Sequence, residues 1–410
     1  MTSKPVDIAV VGCGVSGATA ALAAAQHNAS VAIFEEHPEV GVPSHCSGHV
    51  GIIAFKQFSP PIPPSIIENE IKGAVLHPPT AKPLTLCRPS PVTWVLNRAK
   101  FDCHMARLAK ASGADLQLNS RIESYRHAED GSVQLKVAGG RQRDVNCRVL
   151  VDASGCAASV SKYAGLTKRG RGLLVNSAQF NVENLDDVDE DFVEVYFGQK
   201  FAPGFFGWII PRRDGTAKVG IATGARTNVK HCFDRFIGKH PIVSAKLKHA
   251  KQISPTNFHP IPVGGAMNRT YSDNVLAVGD AASQVKATTG GGIVFSLLCG
   301  RLAGETAAKA VRDRDVSAAR LKNYESSWRR MIGFDLQAMS WLRRFLYSLP
   351  DNNLDRIFSI ADELNVDQVL SRTADIDFQG RTILSMARDP RLLLTLLSAS
   401  VLSVPSLIRT

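Results

Sequence analysis

The sequence predicts an α/β fold: a Rossmann-like nucleotide domain with an inserted antiparallel β-sheet domain and a C-terminal helical region. Three observations carry this. The chain opens on a strand, glycine turn, small-residue helix and second strand between Val6 and Glu36; strand-like runs fill 173 to 260; and from about Arg312 the chain reads as helical and basic.

The opening element is VDIAVVGCGVSGATAALAAAQHNASVAIFEE. Ile8 to Val11 form an apolar run of the kind buried on both faces of a parallel sheet, and Ala18 to Ala25 suit a helix packed closely on it. Between them Gly12, Gly14 and Gly17 spell G-x-G-x-x-G. The first glycine permits the tight turn, the second lets a pyrophosphate approach the backbone, and the third brings helix and strand together so that the helix N-terminus faces the anion. Glu35 ends the second strand, Val31 to Phe34, where a carboxylate can accept hydrogen bonds from a ribose diol. This combination predicts dinucleotide binding.

A polar loop with His45, Cys46 and His49 follows. These three residues lack a clear fourth partner for a metal site, so the loop is expected either to lie over a cofactor with Cys46 presented to it or to pack Cys46 as a small side chain. Residues 59–64, SPPIPP, exclude helix and internal strand and mark a link to a separate layer, where KGAVLHPPTAKPLTLCRP reads as edge strands. Phe101, Met105 and Leu108 predict a helix over 97–111, followed by a strand at 113–127 and a β-meander ending in the buried run Arg148 to Asp152. Four runs then predict an antiparallel sheet: Leu173 to Val182, Phe192 to Phe197, Phe206 to Pro211 and Ala217 to Thr223, the last two joined by a turn at Arg213 to Thr216. The chain re-enters the first domain at a third buried strand, Val275 to Val278, which ends in Gly279-Asp280; a helix from Ile293 follows the triple glycine 290–292.

The 410 residues suffice for two or three domains, and 44% hydrophobic with 21% charged residues is ordinary globular composition. A net charge of +11 points to an anionic partner. The sequence contains neither an RNA-type aromatic platform nor a zinc finger, so nucleic acid is not expected. The eight cysteines include no C-x-x-C pair, which argues against zinc ribbons, iron–sulfur clusters and dithiol redox motifs. Entry into the first strand at Val6 leaves no room for a signal peptide, and no apolar run is long enough to span a bilayer, so a cytoplasmic location is expected. The basic, apolar C-terminal stretches at 328–350 and 388–410 predict helix packing or peripheral contact with anionic lipid through Arg329, Arg330, Arg343 and Arg344.

A single dinucleotide fingerprint together with a late return to the same domain favours FAD over a free nicotinamide cofactor, because FAD spans such a domain lengthwise. Asp280 would bind a ribityl or phosphate-linked hydroxyl, and the helix after Gly292 would aim its N-terminus at an electron-rich ring edge.

GCGVSG with Glu35, NRAKFD around Arg98, VLVDASG, and the pair GD with TTGGGI together resemble flavoproteins of the p-hydroxybenzoate hydroxylase-like fold, and within it the geranylgeranyl reductase family, whose archaeal members include digeranylgeranylglycerophospholipid reductase. The resemblance covers about residues 5 to 310 and implies a set of sites. Gly12, Gly14, Ser16 and Gly17 would hold the pyrophosphate and Glu35 the adenosine ribose. Cys46 and Ser47 would form a cysteine loop beside the flavin, Arg98 would be the phosphate-side arginine, and Ile122 would give a backbone contact near adenine. Asp280 would be the FAD aspartate, and Gly291, Gly292 and Ile293 would face the ring. PGFFGWIIP at Pro203 to Pro211 resembles the family's P-x-x-Y-x-W-x-F-P, with Phe206 in place of the tyrosine and Ile210 in place of the later phenylalanine. An aromatic wall of Phe206 and Trp208 for an isoprenoid chain survives, while the tyrosine hydroxyl is lost.

What the resemblance implies is a FAD-dependent reductase of isolated double bonds in geranylgeranyl-type chains, on lipid or diphosphate substrates, supplied with electrons by an external nicotinamide or ferredoxin-type carrier. Cys46 would deliver a proton or shape the pocket. A flavin monooxygenase or halogenase of the same fold is the alternative, since PGFFGWIIP also half-matches W-x-W-x-I-P; a non-catalytic flavin-binding or membrane-associated interaction protein is the third. The expected division is 1–58, 91–172 and 261–311 for the FAD domain, 59–90 for an excursion into the substrate layer, 173–260 for the substrate sheet and 312–410 for the helical region.

Overall fold

The computed structural model describes residues 5–141, 143–166, 174–373 and 375–380. Its first sheet is the expected parallel one. Val6–Val11 lies between Val31–Phe34 and Asp144–Asp152, parallel to both, and Val275–Ala277 extends the sheet beside Asp144–Asp152. Ile8, Ala9 and Val10 are fully buried because helices cover one face and the Ser120–His127/Val133–Gly139 hairpin layer covers the other. The segment expected as one strand at 113–127 is two, Asp115–Gln117 and Ser120–His127, interrupted at Asn119 with φ +51.

Helix Val15–Gln26 packs against helix Ile293–Arg312 at unusually close range. A Cβ on Gly300 would lie 2.5 Å from the Ser16 carbonyl oxygen, and one on Gly304 would lie 2.2 Å from that of Ala20. Only glycine fits at these two crossings.

The second sheet runs in the order Lys251–Gln252, Leu174–Glu183, Thr216–Gly224, Phe206–Pro211, Phe192–Phe197, Gly73–His77, Leu84–Cys87, with Asn257–Pro262 also on Leu174–Glu183. The strand expected from Leu173 is described from Leu174. The expectation of edge strands in 72–89 holds for Leu84–Cys87, whereas Gly73–His77 is interior and pairs in parallel with Phe192–Phe197. Helix Val229–Lys239 buries the back of the sheet: Phe233 and Phe236 meet Phe180, Ile209 and Val219, and a Cβ on Gly207 would sit 2.4 Å from Phe236 Cζ. Phe206, Trp208 and Ile210 therefore face the other way. His49–Gly51, Thr93–Leu96 and Ile67–Ile71 form a small third sheet joining the two larger ones.

The C-terminal helices span both parts. Ala318–Trp328 docks on the nucleotide domain, where the Tyr324 hydroxyl donates to Ala277 O at 3.0 Å and Trp328 Nε1 to Thr270 Oγ1 at 3.0 Å. Asp351–Glu363 docks on the substrate sheet, with Asp355 accepting from Thr80 and Ala81 and Phe358 packed 5.8 Å from Phe197. The four arginines expected at a lipid surface divide. Arg329 is bound to Glu325 and the carbonyls of Met267 and Asn268, and Arg343 stacks over Phe205 and Tyr347, whereas Arg330 and Arg344 are exposed. For Arg329 and Arg343 the packing alternative fits, since a planar guanidinium met by carbonyls and rings is engaged by the protein itself. The stretch 388–410 lies outside the described residues. Among the described residues no helix is long and apolar enough to cross a membrane.

Candidate flavin and substrate site

The three fingerprint glycines carry separate roles in the geometry. A Cβ on Gly12 would lie 2.5 Å from Ala153 O and one on Gly17 2.0 Å from Gly12 O, while one on Gly14 would meet nothing within 4 Å. The first two thus close the turn, and the third leaves space in front of the helix, whose first N–H groups receive no side-chain cap from Gly14. Ser16 is buried against Gly279, its Oγ 2.6 Å from where a Cβ there would sit, so its hydroxyl lies in the helix contact. Glu35 is fastened beside the turn: Oε2 accepts from Cys13 N at 2.8 Å, and Oε1 accepts from His37 N at 3.1 Å and lies 2.6 Å from His37 Nδ1. Ser120 N donates to Glu35 O, which brings the strand carrying buried Ile122 alongside.

Arg98 opens helix Arg98–Ala111, with Asn97 as its N-cap through Lys100 N at 3.0 Å. Its guanidinium grips Asp102 in a fork at 3.0 to 3.2 Å and meets the Cys46 thiol. Burial opposes its charge, but Asp102 and Cys46 hold it above the ordinary arginine value. Asp280 is raised by burial, with the Arg98 charge pulling it back. The structure therefore gathers Cys46, Arg98 and Asp280, which lie as far apart in sequence as positions 46 and 280, into one electrostatic neighbourhood.

The cysteine loop is clamped on both sides of Cys46 by the second sheet. Asn257 Nδ2 donates to Ser44 O at 3.2 Å, and the His45 ring stacks on His259 at 4.5 Å. On the far side Lys218 Nζ donates to Ser47 O at 2.8 Å and pairs with Glu68 at 2.8 Å. Gly48, at φ +78, brings the loop so near Leu96 that a Cβ would lie 2.1 Å from its carbonyl oxygen. Burial, then the neighbouring His45, pushes His259 down to about 4. Lys218 was not singled out from the sequence, although a lysine opposite Ile210 in an otherwise small and apolar strand face was a readable signal. Its amine is lowered by burial, and Glu68 offsets part of that.

The triple-glycine loop folds as expected. Lys286 N donates to Gly291 O at 3.0 Å, Gly290 N to Lys286 O at 2.8 Å, and helix Ile293–Arg312 starts without a side-chain cap at Gly292. A Cβ on Gly292 would be 3.2 Å from Asp280 Oδ1, so the aspartate and the open helix N-terminus share one place. An uncapped turn with room at Gly14, the Glu35 carboxylate fastened beside it, and a second uncapped helix beside Asp280 together fit FAD.

The sheet face beyond is aromatic. Phe206 stacks on Phe205 at 4.4 Å, Phe205 stacks on Tyr347 at 5.3 Å, and Trp208 stands edge-on to Phe206 at 5.9 Å. Trp208 Nε1 donates to Gln179 at 3.0 Å while its ring lies on Gly220, where a Cβ would be 2.4 Å away. The Tyr347 hydroxyl donates to Thr288 O at 2.9 Å, joining this wall to the glycine loop. Tyr347 was not anticipated; nothing in its local sequence distinguishes it from a packing residue.

Residues 7–170 match the family described as FAD dependent oxidoreductase, and 174–254 match Geranylgeranyl reductase catalytic domain. Among curated relatives, digeranylgeranylglycerophospholipid reductase 2 of Methanothermobacter thermautotrophicus is 34% identical over 354 residues, covering 86% of this chain and 90% of that protein. The digeranylgeranylglycerophospholipid reductase of Methanocaldococcus jannaschii is 31% identical over 86% of this chain and 89% of its own length. A crystal structure of a geranylgeranyl bacteriochlorophyll reductase-like protein from Thermoplasma acidophilum superposes with TM-score 0.84 at 27% identity, covering 97% of this chain and 99% of that one. The flavin-dependent brominase Bmp2 superposes at 0.70 with 16% identity over 94% of this chain and 98% of its own, a likeness of fold alone. The chain belongs to the geranylgeranyl reductase family and is an FAD-dependent oxidoreductase.

Proposed function

We propose that this enzyme saturates isolated double bonds of geranylgeranyl chains on glycerophospholipid substrates, a reading supported by relatives named digeranylgeranylglycerophospholipid reductase. The observation that carries the reading is the convergence of the Cys46 loop on the Phe206–Trp208 sheet face, tied there by Lys218. When bound, FAD supplies hydride to one alkene carbon, and the protein must supply position, dryness and a proton for the other. The partly exposed Trp208, its Nε1 already satisfied by Gln179 and Phe206 packed edge-on behind it, offers an apolar wall for the chain. Cys46, between Arg98 and Lys218, is the residue we assign to the proton path.

The reading extends to the remaining sites. Gly12, Gly14, Ser16 and Gly17 hold the pyrophosphate, Glu35 the ribose, and Ile122 lies near adenine. Arg98 lies on the phosphate side, Asp280 binds a ribityl or phosphate-linked hydroxyl, and Ser47, Gly291, Gly292 and Ile293 lie beside the flavin. We further propose that 1–58, 91–172 and 261–311 act as the FAD domain and 173–260, with the 59–90 excursion, as the substrate domain. An external nicotinamide or ferredoxin-type carrier supplies the electrons.

The test is anaerobic incubation of the chemically reduced enzyme with digeranylgeranylglycerophospholipid, followed by lipid mass spectrometry. Stepwise gain of two hydrogens per double bond is expected; oxygenated or halogenated products under air, without saturation, would refute it. Peripheral membrane contact is also proposed, supported by the exposed Trp341, which stacks on Phe345 at 5.9 Å, and by exposed Phe334, Arg330 and Arg344. Co-sedimentation should be stronger with anionic than with neutral vesicles and weaken in high salt; equal partitioning would remove the electrostatic part.

A further inference from the structure

A buried charge pair joins three distant parts of the chain beside the glycine loop. Lys286 Nζ lies 2.8 Å from Asp377 Oδ1 and donates to Ile376 O at 3.1 Å, and the two side chains are 7% and 2% exposed. The other Asp377 oxygen accepts from Gly51 N at 3.0 Å, just past the cysteine loop. One carboxylate thus fastens both segments that the flavin reading places at the ring. Packing is tight: a Cβ on Gly51 would sit 2.2 Å from Asp377 Oδ2, and one on Gly291 2.6 Å from Lys286 Cε and 3.1 Å from Nζ. His49, Gly291, Gly292 and Ile293 line a small cavity with the pair. The 375–380 segment is itself anchored, since Asp375 accepts from Asp377 N and Phe378 N, and Phe378 packs between Phe58 and Phe295.

Burying such a pair contributes little to stability compared with apolar side chains of the same volume, so its use is sought in the charge. A cation at the edge of a flavin favours the electron-rich reduced ring, and in a low-dielectric interior that influence is strong. A carboxylate in contact with the cation cancels most of it. We propose that the Lys286–Asp377 pair sets the reduction potential of the bound flavin, with Lys286 favouring the reduced form and Asp377 limiting that bias. This rests on the reading that Gly291 to Ile293 face the ring.

The experiment measures the midpoint potential of FAD bound to the full chain, by anaerobic dye equilibration, with FAD affinity followed in parallel by fluorescence. Asp377→Asn, which leaves the cation uncompensated, should shift the potential upward. Lys286→Met should shift it downward, and the double variant should lie near wild type. Asp377→Glu keeps the charge and should leave the potential in place. Either single substitution that retains FAD suffices. An unchanged potential, shifts of the same sign, or an Asp377→Glu shift as large as that of Asp377→Asn would overturn the proposal while leaving the flavin site standing. Wild-type protein unable to bind FAD would take down both.

Discussion

Replacing Lys218 by methionine keeps the length of the apolar stem and deletes the ammonium that ties the cysteine loop to the substrate sheet. The pair is well buried, Lys218 being 8% and Glu68 15% exposed at the side chain. Removing one member of a buried pair costs about 3–5 kcal/mol, because the other charge stays behind. Here Glu68 retains Asn97 Nδ2 at 3.0 Å and Arg212 at 3.6 Å, while Ser47 O loses its donor. The loss should therefore fall near the lower end, about 3 kcal/mol. For a chain of this length the unfolding entropy converts that to a fall in Tm of roughly 3–4 °C. Thermal unfolding followed by circular dichroism gives the first readout; peptide-resolved alkylation of Cys46 gives the second and should accelerate as the loop loosens. Adding Glu68→Gln should restore most of the stability, since no charge is then left unpaired. If Lys218→Met moves Tm by less than about 1 °C and leaves Cys46 alkylation unchanged, the amine does not hold the loop.

Gly14→Val should abolish flavin absorbance by filling the space left open in front of Gly14, whereas retention of FAD would displace the pyrophosphate from this position. Cys46→Ala should keep FAD but lower alkene saturation about 10²-fold or more, with partial recovery in Cys46→Ser; a wild-type rate in Cys46→Ala would reduce the thiol to packing. Stability should fall on acidification. His49, His240 and His259 are held at about 4 against 6.5, chiefly by burial, so the unfolded chain binds more protons than the folded one between those values. Stability then rises with pH across the window and is lost below it, by up to about 3 kcal/mol for a fully buried ring. Urea unfolding at pH 7 and pH 5 measures this, and equal midpoints would contradict it.

The elements legible in the sequence were those whose signal is local. Val31–Phe34, Phe192–Phe197 and Phe206–Pro211 fall where their apolar runs placed them, and the glycine turn with Glu35 forms as its spacing required. Pairings between distant segments were not legible. Gly73–His77 read as an edge because nothing near it signals a parallel partner over a hundred residues later. Lys218 with Glu68, and Lys286 with Asp377, are single charges in sequence and become meaningful only when the fold closes loops of 150 and 91 residues. Arg343 was open to helix packing or lipid contact because a basic residue in a helix carries no mark of whether a carbonyl and two rings await it; here Gly204, Phe205 and Tyr347 do.

The glycine crossings between Val15–Gln26 and Ile293–Arg312 place a constraint on the order of biosynthesis. The cofactor-binding turn is made first, yet the helix behind it cannot be covered until Gly300 and Gly304 leave the ribosome. At about 5–20 residues per second that delay is on the order of 15–60 s, during which the alanine-rich helix exposes the face that will later be buried. A nascent chain of this protein thus carries its glycine turn for most of its synthesis without the helix that will cover it.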